Sequence, residues 1–104
     1  FLYIDECIEA TCRLMDSECT EPLNIGSEEM VTINQLVDIA AEIAGKKITK
    51  DHVNGPLGVR GRNSNNDLIR EKLGWDYERT LEEGMKKTYE WVRWQVSKQI
   101  YSVV

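Results

Sequence analysis

No regular element can run unbroken through Gly55-Pro56-Leu57-Gly58-Val59-Arg60-Gly61-Arg62-Asn63-Ser64-Asn65-Asn66. Its three glycines admit positive φ and its proline fixes its own, so the stretch is a shaped loop. Arg60 and Arg62 stand two apart in it, and on extended backbone both would point to one side. A pair of guanidinium forks on a turn suits a phosphate or diphosphate group. Ser64-Asn65-Asn66 reads as a helix cap, which would bring free N–H groups and the positive end of a helix close by. The alternative is a solvated loop whose arginines pair with surface carboxylates.

The 104 residues make room for one domain with a modest core. A composition 41% apolar and 30% charged is that of a soluble globular chain, and a net charge of −5 argues against non-specific nucleic-acid binding. The charge is uneven. Asp5, Glu6, Glu9, Asp16, Glu18, Glu21, Glu28 and Glu29 face Arg13 alone, whereas Lys46, Lys47, Lys50, Arg60 and Arg62 face only Asp51. A local basic patch on an acidic chain fits a small anion better than a polyanion. Cys7, Cys12 and Cys19, with the single histidine His52, are not a zinc set. Cys7 and Cys12 are expected as small buried apolar residues, and free thiols point to the cytoplasm. There is no signal-peptide pattern and no apolar run of about 18 residues, so no membrane role is read. Phe1-Leu2-Tyr3-Ile4 looks like a strand cut from a longer chain, and the sequence is expected to be a fragment.

Asp5 can cap a helix running to about Asp16, with Ile8, Cys12 and Met15 along one stripe. Leu23-Asn24-Ile25 and Met30-Val31-Thr32 read as short extended pieces, and residues 46–53 as an edge strand. Thr32 caps an amphipathic helix over residues 33–44, with Ile33, Leu36, Val37, Ala40 and Ile43 on its stripe and Gly45 closing it. A further helix spans about 66–73 and ends at Gly74. Thr80 and Glu83 form a capping box that opens the longest helix, to about residue 99. Leu81, Met85, Tyr89, Val92, Val96 and Ile100 make its stripe, flanked by Trp91 and Trp94, which belong to a core edge or face a partner. The expected class is α/β, one small subdomain over residues 1–104 with about four helices and short strands.

The residues offer little catalysis. One histidine excludes a Ser-His-Asp arrangement, His52 reads as a surface residue, and the acids read as helix-surface acids. Gly55, Gly58 and Gly61 match a G-x-x-G-x-x-G spacing. A dinucleotide turn needs a buried strand just before it and a helix opening inside it. The preceding Lys46-Lys47-Ile48-Thr49-Lys50-Asp51-His52 is polar, so the glycines are rejected as a cofactor site.

Tyr3-Ile4-Asp5-Glu6-Cys7, Pro22-Leu23-Asn24-Ile25-Gly26-Ser27, Gly58-Val59-Arg60-Gly61-Arg62-Asn63-Ser64 and Leu73-Gly74-Trp75 occur in this order. Together they resemble the C-terminal part of an extended short-chain dehydrogenase/reductase acting on a nucleotide sugar. The G-V-R-G-R-N-S stretch is narrower and resembles GDP-mannose 3,5-epimerase. The likeness runs from Phe1 to about Gln95. It implies an NAD-dependent, cytosolic, usually dimeric isomerase. In that family a Rossmann domain holds NAD, a Tyr-x-x-x-Lys pair transiently oxidises the sugar, and a Cys/Lys pair epimerises neighbouring carbons. By residue match Arg62 falls on the substrate-binding arginine expected at the diphosphate. Arg60 lies beside it, and Asn65 falls where relatives often carry a capping Asp.

The departures from that pattern are as informative. The chain holds no cofactor glycine turn and no Tyr-x-x-x-Lys; Tyr89 with Arg93 is the nearest pair, and arginine cannot take the titrating role. The family's catalytic cysteine lies upstream of the matching region, so Cys7, Cys12 and Cys19 are not it. The expectation is therefore a GDP-mannose-binding portion that is inactive alone, without catalytic, metal or cofactor residues of its own. Its expected partners are a nucleotide sugar, the missing Rossmann domain and a second copy of itself, with neither nucleic acid nor membrane. A related nucleotide-sugar 4-epimerase or 4,6-dehydratase is the alternative within the superfamily. A non-catalytic interaction module using Trp91, Trp94 and the apolar N-terminus is the alternative outside it.

Overall fold

The computed structural model describes residues 1–102, with side chains described to residue 99. Helix α1 spans Ile4–Asp16, α2 Ile33–Ala44, α3 Asp67–Leu73 and α4 Leu81–Ser102. Among the described residues there is no strand, so the chain is helical and the expected α/β class is wrong. The reason lies in backbone pairing. An extended segment becomes a strand only when a neighbour takes its N–H and C=O groups. Among the described residues, a single backbone bond joins segments far apart in sequence, Ser64 N–H to Ser27 O at 3.1 Å. Leu23 and Ile25 do lie against the core, but as unpaired coil. Residues 46–53, expected at a sheet edge, are exposed coil.

The helix boundaries follow local chemistry closely. Thr32 and Gln35 close a reciprocal capping box on α2, and Gly45 ends it at φ 65. Gly74 ends α3 at φ 63. Thr80 Oγ1 accepts from Glu83 N–H at 3.2 Å while Glu83 Oε2 accepts from Thr80 N–H at 3.3 Å, so the box opening α4 is present. Helix α1 departs from expectation at its start. It begins one residue before Asp5, with Tyr3 at the N-cap position and no side-chain cap.

The face that α1 buries is also not the expected one. Ile8 is 53% exposed, Met15 is 77% exposed and Cys12 is exposed, whereas Ala10 is buried and Glu6 is 4% exposed. The core is Ala10, Ile69 and Trp75, with Leu2, Leu23, Ile25, Leu73 and Tyr77 packed on it. Helix α1 has apolar residues on two sides: Ala10 lies in this core, Cys7 and Leu14 are half-buried, and Ile4, Ile8 and Met15 face water. Cys7 is half-buried, so only one of the two cysteines expected inside is even partly so. Helix α2 lies against α4. On α4, Leu81, Met85 and Tyr89 are half-buried, but Val92 and Val96 are exposed. Ile100, expected on the same stripe, lies outside the described side chains.

The molecule is extended for its size. Its radius of gyration is 17.4 Å, against about 13 Å for a compact chain of this length. Its accessible surface is 8649 Å², against about 6,000 Å² for a compact 12.0 kDa monomer.

Candidate functional site

Arg60 and Arg62 line one cleft of about 550 Å³, between the loop and the stretch entering α2. Glu29, Thr32 and Gln35 contribute its polar wall, and Phe1, Met30 and Val59 its apolar one. Arg62 also borders an adjoining hollow of about 350 Å³ with Asn24, Ser27 and Asn63. Both arginines are exposed. Neither guanidinium is ion-paired to a described carboxylate, whereas Arg13, Lys50, Arg70 and Lys86 are. The acids nearest the loop are already engaged. Glu29 Oε2 accepts from Leu81 N–H at 3.0 Å in the first turn of α4, and Glu28 Oε1 accepts from Arg70 Nη2 at 2.6 Å.

Asn65 sits beside this cleft without lining it. Its Oδ1 accepts from Asp67 N–H at 2.9 Å, so it serves the first turn of α3 as expected of a cap. By backbone angles the N-cap is Asn66, at φ −98 and ψ 12. Two of the N–H groups at this helix end are taken. Asn66 N–H donates to Glu28 Oε1 at 3.1 Å, and Asp67 N–H is taken by Asn65.

Among the residues that shape the site, Glu28 and Arg70 were given no role in the sequence, and Asn66 was read only as part of the helix cap. Asn66 is fully buried. Its Nδ2 donates to Gly26 O at 2.8 Å, and its Oδ1 accepts from Ser64 Oγ at 2.6 Å. Glu28 O accepts from Asn63 Nδ2 at 3.3 Å. Arg70 binds Glu28, Asp76 and Asp67 at 2.6, 2.9 and 3.2 Å. The hydrogen bond from Arg70 holds Asp76 below the ordinary carboxylate range, and the same bond raises Arg70. The Asp67–Arg70 contact has the i,i+3 spacing of a helical pair. The bonds of Glu28 to Asn63, Asn66 and Arg70, and of Asn66 to Gly26, join residues 35 to 42 positions apart, and no local pattern encodes them.

The glycine spacing does not make a dinucleotide turn. Gly55, Gly58 and Gly61 lie in irregular backbone with no strand before them, and α3 opens at Asp67. These residues do not fit NAD. Tyr89 and Arg93 lie together on α4 away from the arginine cleft, lining a different hollow with Ile43 and Lys46. Among the described residues, no group of three His, Cys, Asp or Glu side chains is placed to hold a metal. No helix among them is long and apolar enough to cross a membrane.

No family model matches the chain. Similarity to individual proteins is nevertheless strong. GDP-mannose 3,5-epimerase of Arabidopsis thaliana is 48% identical over 99 residues, which is 95% of this chain and 26% of that protein. GDP-mannose 3,5-epimerase 1 of Oryza sativa subsp. indica is 46% identical over the same spans. The chain is homologous to the C-terminal part of GDP-mannose 3,5-epimerase. It spans about a quarter of the length of these epimerases. UDP-glucuronate 4-epimerase of Thermodesulfobacterium geofontis is a more distant relative, 28% identical over 93 residues. Relatedness therefore extends across nucleotide-sugar enzymes and is much higher to the GDP-mannose epimerases.

Proposed function

We propose that this chain is the nucleotide-sugar-binding part of a GDP-mannose 3,5-epimerase-like enzyme and carries no catalysis by itself. Arg62 grips the diphosphate, Arg60 seconds it, and Asn65 supports the loop through the first turn of α3. The observation that carries this reading is the pair of guanidinium groups, free of carboxylate partners, lining one cleft. Bidentate forks recognise phosphate oxygens, and neither fork here is ion-paired to a described carboxylate.

The chemistry belongs to the remainder of such an enzyme. This chain's residues do not fit NAD, and it spans only a quarter of its epimerase relatives. The partner we assign to its uncovered side is the nucleotide-binding domain of that family. Ile4, Ile8 and Met15 form an exposed apolar line on α1, and the surface exceeds that of a compact monomer by roughly 2,600 Å². An excess of that size exceeds a standard protein–protein interface and matches a large permanent one. Its three free thiols suit a cytoplasmic setting.

Titration of the chain with GDP-mannose tests the reading, with Arg62→Ala beside it. Weak binding abolished by the substitution is expected. Binding that survives Arg62→Ala, or none at millimolar ligand, overturns it. In the second case, Trp91 and Trp94, 60% and 52% exposed on α4, become the surface of a non-catalytic module.

A further inference from the structure

We propose that Glu28 is the positioning residue for Arg62, holding the base of the arginine loop to the start of α3. The inference rests on the reading of Arg62 as the diphosphate grip. The loop has little order of its own, since residues 46–63 are all exposed. What fixes the end that carries Arg62 is a set of contacts to one short turn. Asn63, the next residue, donates through Nδ2 to Glu28 O at 3.3 Å. Ser64 N–H donates to Ser27 O at 3.1 Å. Asn66 N–H donates to Glu28 Oε1 at 3.1 Å. Glu28 thus holds the loop base through both its backbone and its side chain.

Its carboxylate is itself immobilised. Arg70 Nη2 donates to Glu28 Oε1 at 2.6 Å, and Asp76 and Asp67 hold Arg70 at 2.9 and 3.2 Å. The backbone under Arg62 is ordered before any ligand arrives, which removes part of the entropy cost of binding.

Site-resolved trypsin digestion of the whole chain tests this without needing a ligand. The readout is cleavage after Arg62 relative to cleavage after Lys47, which lies in coil that Glu28 does not touch. Cleavage through a locally opened state tracks the population of that state. Glu28→Ala is expected to raise the ratio about tenfold, the scale of one lost hydrogen bond to a charged group. Glu28→Gln keeps an acceptor for Asn66 and should stay within about twofold of the wild type. Asn63→Ala removes one exposed side-chain bond and should raise the ratio severalfold without touching the core. Should Glu28→Ala open every site alike, Asn63→Ala decides: a raised ratio supports the proposal, and an unchanged one overturns it. An unchanged ratio in both variants also overturns it.

A GDP-mannose arm separates this inference from the one beneath it. Ligand protection of Arg62 in the wild type, with no opening in Glu28→Ala, overturns the positioning role alone. Opening in Glu28→Ala, with no ligand protection in the wild type, leaves the positioning of Arg62 standing and defeats the diphosphate reading.

Discussion

Glu6 and Glu78 are joined across 72 positions of sequence: the buried Glu6 Oε1 accepts from Glu78 N–H at 2.7 Å. The same oxygen accepts from Arg79 N–H at 2.9 Å. One carboxylate on α1 thus satisfies the backbone of the run into α4, close to where helical N–H groups favour negative charge. The neighbouring Tyr3 completes the junction. Its ring lies under the cations of Arg79 and Lys87, at 5.3 and 5.9 Å, and its Cβ packs where a side chain on Gly84 would begin.

Glu6→Ala should therefore destabilise the chain by about 2–3 kcal/mol, because two N–H groups lose a charged acceptor. Glu6→Gln retains an acceptor oxygen and should cost about 1 kcal/mol or less. Urea midpoints of the two variants check this. Equal losses would mean that charge, and not hydrogen bonding, holds the junction.

Gly26 has no room for a side chain. A Cβ there would lie 2.6 Å from Ser64 Cβ, at the base of the arginine loop. Gly26→Ala should cost about 1–3 kcal/mol by overpacking. Adding Ser64→Gly removes the opposing atom, so the double variant should lose less than the sum of its singles, by a coupling of about 0.5 kcal/mol or more. Strict additivity would show that the two residues do not meet.

The orientation of α1 predicts a contrast between two isoleucines. Ile8→Lys should change stability by about 0.5 kcal/mol or less, since that side chain faces water. Ile69→Ala, at a core residue 1% exposed, should cost about 2–5 kcal/mol. A large loss at Ile8 would mean that its stripe is buried within the isolated chain.

The Arg70 cluster predicts a pH dependence. Asp76 is held below the ordinary range by the hydrogen bond from Arg70, so its contribution is present above the unfolded carboxylate's pKa. It is lost as pH falls through the lowered folded value, while Arg70, raised by the same bond, stays charged. The wild type should exceed Asp76→Asn in urea midpoint at neutral pH, by a small margin because both groups are substantially exposed. That margin should shrink from about pH 4 downward. A margin constant into acid would show that the pair contributes nothing through charge.

The helices were legible because their signals are local. Thr32 with Gly45, Thr80 with Glu83, and Gly74 mark ends that a few neighbouring residues decide, and the structure carries them there. The strands were not, since β-structure needs a neighbour to pair with, and an apolar triplet does not say whether one exists. Arg60 and Arg62 were visible as residue types on a glycine-rich loop, and the structure puts them on one cleft. The roles of Glu28 and Arg70, and that of Asn66 beyond the cap, were not visible, because each acts through a contact to a distant segment.

By itself, then, the amino-acid order determined where helices begin and end, which loop bears the paired arginines, and to which epimerases the chain is related. Only the tertiary structure decided which face of α1 turns inward, that the extended pieces stay unpaired, and that Glu28 is held by Arg70 close to the loop. The physical reason is range. Caps, turns and periodicity are settled within a few residues, whereas burial, pairing and the occupancy of a carboxylate depend on what the rest of the chain brings beside it.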